Sequence, residues 1–150
     1  MEDATLFWKI AEGEHACPHA SSLLGWEFIL YEREKNQVRV RFHASKALTT
    51  PLECIQGGML GAMLDDCMGS AVFAALGADY VGLVVRIETQ LLRPAFPGHI
   101  AGVGKVTKKL KDRRYTSGML LDEAGNLLAT GKACYRIIRM PPKGVMMPRS

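Results

Sequence analysis

Between Gly57 and Ala78 the chain reads GGMLGAMLDDCMGSAVFAALGA, a run of apolar and small residues in which Asp65 and Asp66 are the only charged side chains. At 100° per residue Leu60, Leu64, Cys67, Met68, Ala71 and Ala75 cluster on one face, which predicts a helix over 57–76 with Gly77 as its stop. The opposite face carries Gly58, Ala62, Gly69 and Phe73 in place of the usual charges. A helix that is apolar or small nearly all round needs cover on all sides, from its own sheet and from another subunit, so a homo-oligomer is expected. Two carboxylates in such a helix are costly unless they are paired, solvated or put to chemical use.

Around this one helix the remaining segments alternate with a period of two. GWEFILYERE and NQVRVRFHAS read as a hairpin turning near Lys35 and Asn36, with Val38, Val40 and Phe42 on one face. After the helix come VGLVVRIETQLL, HIAGVGKVTKKL, RRYTSGMLLD and, past a turn at residues 123–126, LLATGKACYRIIRM. Two strands, one helix and four strands predict an α+β fold with a mostly antiparallel sheet of about five to six strands, not alternating βαβ units. The sheet must wrap the helix to bury it.

At 150 residues the chain has the size of one domain. Its 48% hydrophobic and 23% charged composition is that of a soluble globular protein, and no apolar run approaches the roughly 18 residues of a membrane span. The start, MEDATLFWKIAEGEHACPH, is acidic and unlike a secretory signal, and Cys17, Cys54, Cys67 and Cys134 are widely spaced, so reduced thiols and a cytoplasmic location are expected. Residues 4–11 predict a short amphipathic helix, HACPHASS a lead-in broken by Pro18, and 141–150 a flexible tail.

On the helical wheel Asp65 falls between Gly61 and Gly69, residues that allow another chain or a ligand to come close, while Asp66 lies near Met59, Ser70 and Phe73. Either carboxylate could instead pair with an Arg across an interface. Gln56-Gly57-Gly58 starts the helix with unpaired backbone N–H groups and the positive end of the helix dipole, a terminus able to stabilise an oxyanion. Joined to Asp65 two turns on, it makes a candidate acyl-transfer site.

TPLECIQGGMLGAMLDDCMG resembles the signature of hotdog-fold thioesterases of the phenylacetic acid degradation (PaaI) type, with matching spacing from Gln56 to Asp65. SLLGWEFILYE, QLLRPAFPG and LLDEAGNLLATGKACYRII extend the resemblance over about residues 23–138. It implies a lead-in at 1–22, a hotdog thioesterase-like domain at 23–140 with one long central helix, and dimers with interfacial sites, often paired into tetramers. The implied reaction is hydrolysis of an acyl-CoA thioester, with no cofactor or metal. Asp65 would then be general base or nucleophile, and Gly57, with Gly58, would polarise the carbonyl. Gln56 stands where many members have His, and can hydrogen-bond the thioester without shuttling a proton near neutrality. Thr50 replaces a common Asn, Val84 falls near where some members carry Ser or Thr, and Glu53 replaces a small residue or glycine. With Gly57 and Asp65, Gln56 makes up the expected catalytic set; Gly58, Thr50, Asp66, Val84 and Arg93 make up the expected substrate-binding set.

Other features have competing readings. His15, Cys17 and His19 alternate, but three ligands so close would need a fourth from elsewhere. Cys54 lies just before Gln56 without a His near it in sequence and reads as a packed thiol. From residue 100 onward there are eleven Lys and Arg against three Asp and Glu, concentrated at Lys105, Lys108, Lys109, Lys111, Arg113 and Arg114. That patch suits CoA phosphates or plain solvated charge, and the lack of aromatic interleaving argues against nucleic acid. The leading expectation is an acyl-CoA thioesterase; the alternative is a non-hydrolytic acyl-CoA or aromatic-ligand binding protein of the same fold, motivated by Thr50, Gln56 and Val84.

Overall fold

A computed structural model of the chain describes residues 5–140; the tail expected at 141–150 lies outside the described residues. Two short helices, α1 (Leu6–Ala11) and α2 (His19–Leu23), precede a hairpin of β1 (Glu27–Glu32) and β2 (Gln37–Ala44). The long helix α3 (Gly57–Ala74) follows, then β3 (Tyr80–Leu91), β4 (Gly98–Leu110), β5 (Arg113–Leu121) and β6 (Leu127–Arg139). All six strands join one antiparallel sheet in the order β1-β2-β4-β5-β6-β3. This is the expected α+β architecture, one long helix against a wrapping sheet.

The alternation read from the sequence is the alternation of burial. Val38, Val40 and Phe42 point inward from β2 and meet Leu60, Met63, Leu64, Cys67 and Met68 of α3, with Ile100, Leu120 and Leu128 from the later strands. Glycines let α3 lie directly on the sheet: a Cβ at Gly102 would sit 3.2 Å from Cys67 Cβ, one at Gly118 2.8 Å from Met68 Cγ, and one at Gly104 would collide with the Cys67 carbonyl. Burial pushes the Cys67 thiol far above its ordinary pKa, followed in effect by the Asp66 carboxylate, so Cys67 behaves as a small apolar residue.

Three local expectations are corrected. Pro18 does not merely break the lead-in but stands at the N-cap position of α2, where its carbonyl accepts from Ser22 N–H at 2.8 Å. The helix α3 ends at Ala74 with Ala75 as cap, not at residue 76 with Gly77 as stop. The last turn tightens as Ala75 N–H and Leu76 N–H reach back three residues, to Val72 and Phe73. Ala75, expected on the buried face, is therefore exposed.

One edge of the sheet is β3, twelve residues long. Its register with β6 puts Val84, Ile87 and Leu91 on the same face as the buried Tyr135, Ala133 and Ala129. Yet these three remain 42, 40 and 51% exposed. A long apolar edge of this kind is an unprotected pairing surface in an isolated chain. Among the described residues no helix is long and apolar enough to cross a membrane.

Candidate active site

The start of α3 is held from both sides: Ile55 N–H donates to Ala95 O (2.7 Å) and Gln56 N–H to Leu48 O (2.9 Å). Gln56 is the N-cap, exposed, and its side chain makes no capping bond. The amides of Gly57 and Gly58 open the helix without an acceptor one turn earlier. A Cβ at Gly57 would lie 2.7 Å from Leu91 Cδ1, whereas one at Gly58 would meet open space. Thr50 sits in the preceding loop, its Oγ1 accepting from Leu52 N–H (3.2 Å) and lying 3.4 Å from Cys54 Sγ. Within that loop Glu53 adopts φ 65°, the left-handed conformation that favours glycine. Arg93 is exposed two residues beyond Leu91 and faces the β5–β6 turn, where it contributes to holding the Asp122 carboxylate low, after the stronger hydrogen bonds from Asn126.

Two turns along α3 the chemistry changes. Tyr135 of β6, only 3% exposed, donates its hydroxyl to Asp65 Oδ1 at 2.7 Å and lies 3.1 Å from the Asp65 carbonyl. Burial first, and the hydrogen bond to Asp65 second, push the tyrosine pKa well above its ordinary value, so it stays a donor at every physiological pH. Asp66 is half-buried beside it, and its Oδ2 is shut off from solvent with no hydrogen-bond partner. Desolvation pushes its pKa up to about 6, the Ser21 hydroxyl opposes the rise, and the Asp65 carboxylate adds to it.

Asp65, Asp66, Val84 and Tyr135 line one cavity of about 500 Å³, otherwise mainly apolar, that runs along α3 toward α1 and α2. A pocket of that size with a few converging polar groups suits a small organic ligand. Of the expected site residues, Asp65, Asp66 and Val84 thus come together. Gln56, Gly57, Gly58 and Thr50 form a second group at the start of α3, and Arg93 lies by the β5–β6 turn. Asp65 lies eight residue steps after Gly57 along the helix, a rise of about 12 Å. Sequence reading missed Tyr135, Trp26 and the α1–α2 segment. The only signal for Tyr135 was an inward position in β6, which any core aromatic would share. Among the described residues no group of three or more His, Cys, Asp or Glu is placed to hold a metal.

No protein-family model matches the chain. Over 83 residues it is 30% identical to an uncharacterised protein of Schizosaccharomyces pombe; the match covers 55% of this chain and about half, 47%, of that relative. Among solved structures, a phenylacetic acid degradation-related protein of Ralstonia eutropha JMP134, designated a candidate thioesterase, superposes with TM-score 0.83 at 28% identity, over 87% of this chain and 98% of that one. The PaaI protein of the Escherichia coli phenylacetic acid degradation operon gives TM-score 0.76 at 15% identity over 88 and 93%, and thioesterase HI1161 of Haemophilus influenzae 0.79 at 13% over 95 and 97%. The last two likenesses establish fold alone. The fold is the hotdog fold of the thioesterase superfamily. Within it, the chain is similar to the thioesterases of the phenylacetic acid degradation type, the resemblance read from residues 50–69.

Proposed function

We propose that the chain is a thioester hydrolase that cleaves an acyl-CoA to the free acid and CoA. The observation that carries this reading is a carboxylate, Asp65, held by a permanent donor, Tyr135, in the wall of a mainly apolar cavity. Asp65 acts as general base: it takes a proton from water as the water oxygen attacks the thioester carbon. The carbonyl becomes an oxyanion, backbone N–H groups at a helix start stabilise it, and collapse expels the CoA thiolate, which is then protonated. Likeness to thioesterases of this fold supports the reaction class.

Helix geometry constrains which residues cooperate. A reacting carbonyl must lie within about 3 Å of both the oxyanion donors and the activated nucleophile. Gly57 and Asp65 of one chain, about 12 Å apart along α3, do not meet that condition together. The active unit therefore joins Gly57 and Gln56 of one subunit to Asp65 and Tyr135 of another, in a homodimer or a dimer of dimers. The exposed apolar row Val84, Ile87 and Leu91 supports such pairing. Gln56 and Thr50 lie beside the helix start that donates to the thioester, and Arg93, with the basic β4–β5 hairpin, is suited to the CoA phosphates.

A panel of CoA thioesters assayed for free thiol tests the reading. Wild type releases thiol, and Asp65→Asn loses at least about 100-fold in kcat, within the range general-base catalysis contributes. Turnover unaffected by the substitution removes Asp65 from the mechanism. A second reading is a non-hydrolytic acyl-CoA binder, favoured by Val84, which brings no hydroxyl to the cavity wall. It predicts tight acyl-CoA binding without thiol release.

A further inference from the structure

The cavity beside Asp65 has a one-sided charge balance. Apolar and aromatic groups, among them Phe7, Trp26, Phe73 and Tyr80, make up most of its wall, and Asp65 and Asp66 bring charge to it; among the described residues no Lys, Arg or His lines it. Elsewhere the chain pairs its carboxylates: Glu27, Glu32, Glu88 and Asp112 each have an Arg or Lys within 3.3 Å. Among the described residues Asp65 and Asp66 have no such partner.

The groups around the two carboxylates are neutral dipoles. Tyr135 donates its hydroxyl to Asp65 Oδ1 at 2.7 Å, Trp26 Nε1–H donates to Ser70 Oγ at 3.2 Å, and Ser70 Oγ donates to the Asp66 backbone carbonyl at 2.8 Å. Each of these donors has a single proton, so none of them is left for the Asp66 carboxylate. Burial pushes the Asp66 pKa up to about 6 against the favourable Ser21 hydroxyl, so Asp66 is ionised at pH 8. Its Oδ2 is shut off from the cavity as well as from solvent. That oxygen therefore acts on a ligand through its field and not by contact, and the field is strong where the wall holds little water and no counter-ion.

Thioester hydrolysis creates an anion at this place. Asp65 takes one proton from the attacking water, the C–S bond breaks, the departing thiolate receives that proton, and the acid leaves with the second water proton, which it gives up to bulk water near neutrality. The reacting carbon, part of a neutral ester before the step, then carries a carboxylate beside Asp65. A cation in the wall would hold that product, whereas carboxylates without a counter-ion repel it.

Resting on the thioester-hydrolase reading, we propose that Asp66 is a product-release residue: its charge, unneutralised in a cavity without cations, joins that of Asp65 in expelling the newly ionised acid and keeps free carboxylates from inhibiting the site. The two residues are adjacent on α3 and line the same cavity, so a carboxylate formed at the first lies in the field of the second. Asp65 remains the reacting base, and Asp66 acts on the product without touching the reacting atoms.

The test compares octanoate with octanamide, nearly the same shape without the charge, by calorimetric binding at pH 8 to the full chain as wild type, Asp66→Asn, Asp66→Ser and the double variant Asp65→Asn/Asp66→Asn. Wild type binds the amide tighter than the acid by about tenfold or more, as like charges brought together require. Either single variant narrows that ratio by about threefold or more, the double variant brings it close to one, and octanamide affinity changes little throughout, which shows the cavity intact. A ratio unchanged in both single variants assigns the discrimination to desolvation of the acid alone and overturns the proposal. Equal binding of acid and amide to wild type, or no amide binding to any of the proteins, overturns it too. In thiol-release assays octanoate inhibits Asp66→Asn at concentrations about threefold or more below those needed for wild type. If wild type turns over no CoA ester, the hydrolase reading has failed, and the binding ratios by themselves still decide whether Asp66 excludes anions from the cavity.

Discussion

Tyr135, on the sixth strand, donates a 2.7 Å hydrogen bond to Asp65 on the central helix, across 70 residues of sequence. The pair fixes one carboxylate oxygen and leaves the other for water or substrate. Because burial keeps the phenol protonated, the bond persists throughout the physiological range. Its role is positioning: Tyr135→Phe removes the hydroxyl and leaves the ring. Hydrogen bonds to charged groups are worth about 1.5–3 kcal/mol, so kcat for the best thioester falls roughly 10- to 100-fold with KM nearly unchanged. A drop in KM-linked binding with normal kcat would assign Tyr135 to the acyl pocket instead.

The separation of Asp65 from the start of α3 predicts complementation between subunits. Gly57→Pro removes the N–H at a position where a helix accepts proline, and Asp65→Asn removes the base; each homo-oligomer is expected to be inactive. Co-assembled in equal amounts, random dimers regain roughly a quarter of wild-type activity, since about half are mixed and each mixed dimer has one intact site. Activity that stays absent in demonstrably mixed oligomers would place both groups in one chain and refute the composite site.

The half-buried Asp66 makes stability fall as pH rises. Its pKa is pushed from 3.8 up to about 6 in the folded chain, so the native state holds the proton more tightly than the unfolded one. The group costs nothing below about pH 4 and its full penalty above about pH 6, on the order of 3 kcal/mol. Asp66→Asn, uncharged throughout, is therefore more stable than wild type at pH 8 and gains progressively less on acidification. Melting temperatures of the two proteins from pH 4 to 8 measure this; a constant difference would show that the Asp66 carboxyl does not titrate between those limits.

In the loop before α3, Glu53 is exposed and held at φ 65°. A non-glycine residue in the left-handed region costs about 1–2 kcal/mol, part of which glycine returns as unfolded-state entropy. Glu53→Gly is expected to raise stability by about 0.5–1 kcal/mol on denaturant unfolding, with thiol release unchanged. A loss of stability would mean that the Glu53 side chain makes a contact worth more than the backbone strain.

The residues most legible in the sequence were those whose role follows from local periodicity. Val38, Val40 and Phe42 declared an inward face by alternation, and the run from Gly57 declared a helix that needs cover all round; both lie where expected because period and burial are coupled along a single element. The αL backbone at Glu53 likewise gives a physical reason for the small residue that the resemblance assigns there.

Pairings between elements were not legible. Nothing near Tyr135 in the sequence marks it as the partner of Asp65, since the contact exists only once β6 crosses α3 beside β3. The segment around Pro18 read as a lead-in, yet it walls the cavity because Trp8 ties it to the end of α3. By itself, then, the sequence determined the elements, their apolar faces and the two carboxylates worth asking about. Tertiary structure decided which carboxylate has a donor and which is left short of one, because hydrogen-bond partners are assigned by the packing of distant strands and not by neighbours in the chain.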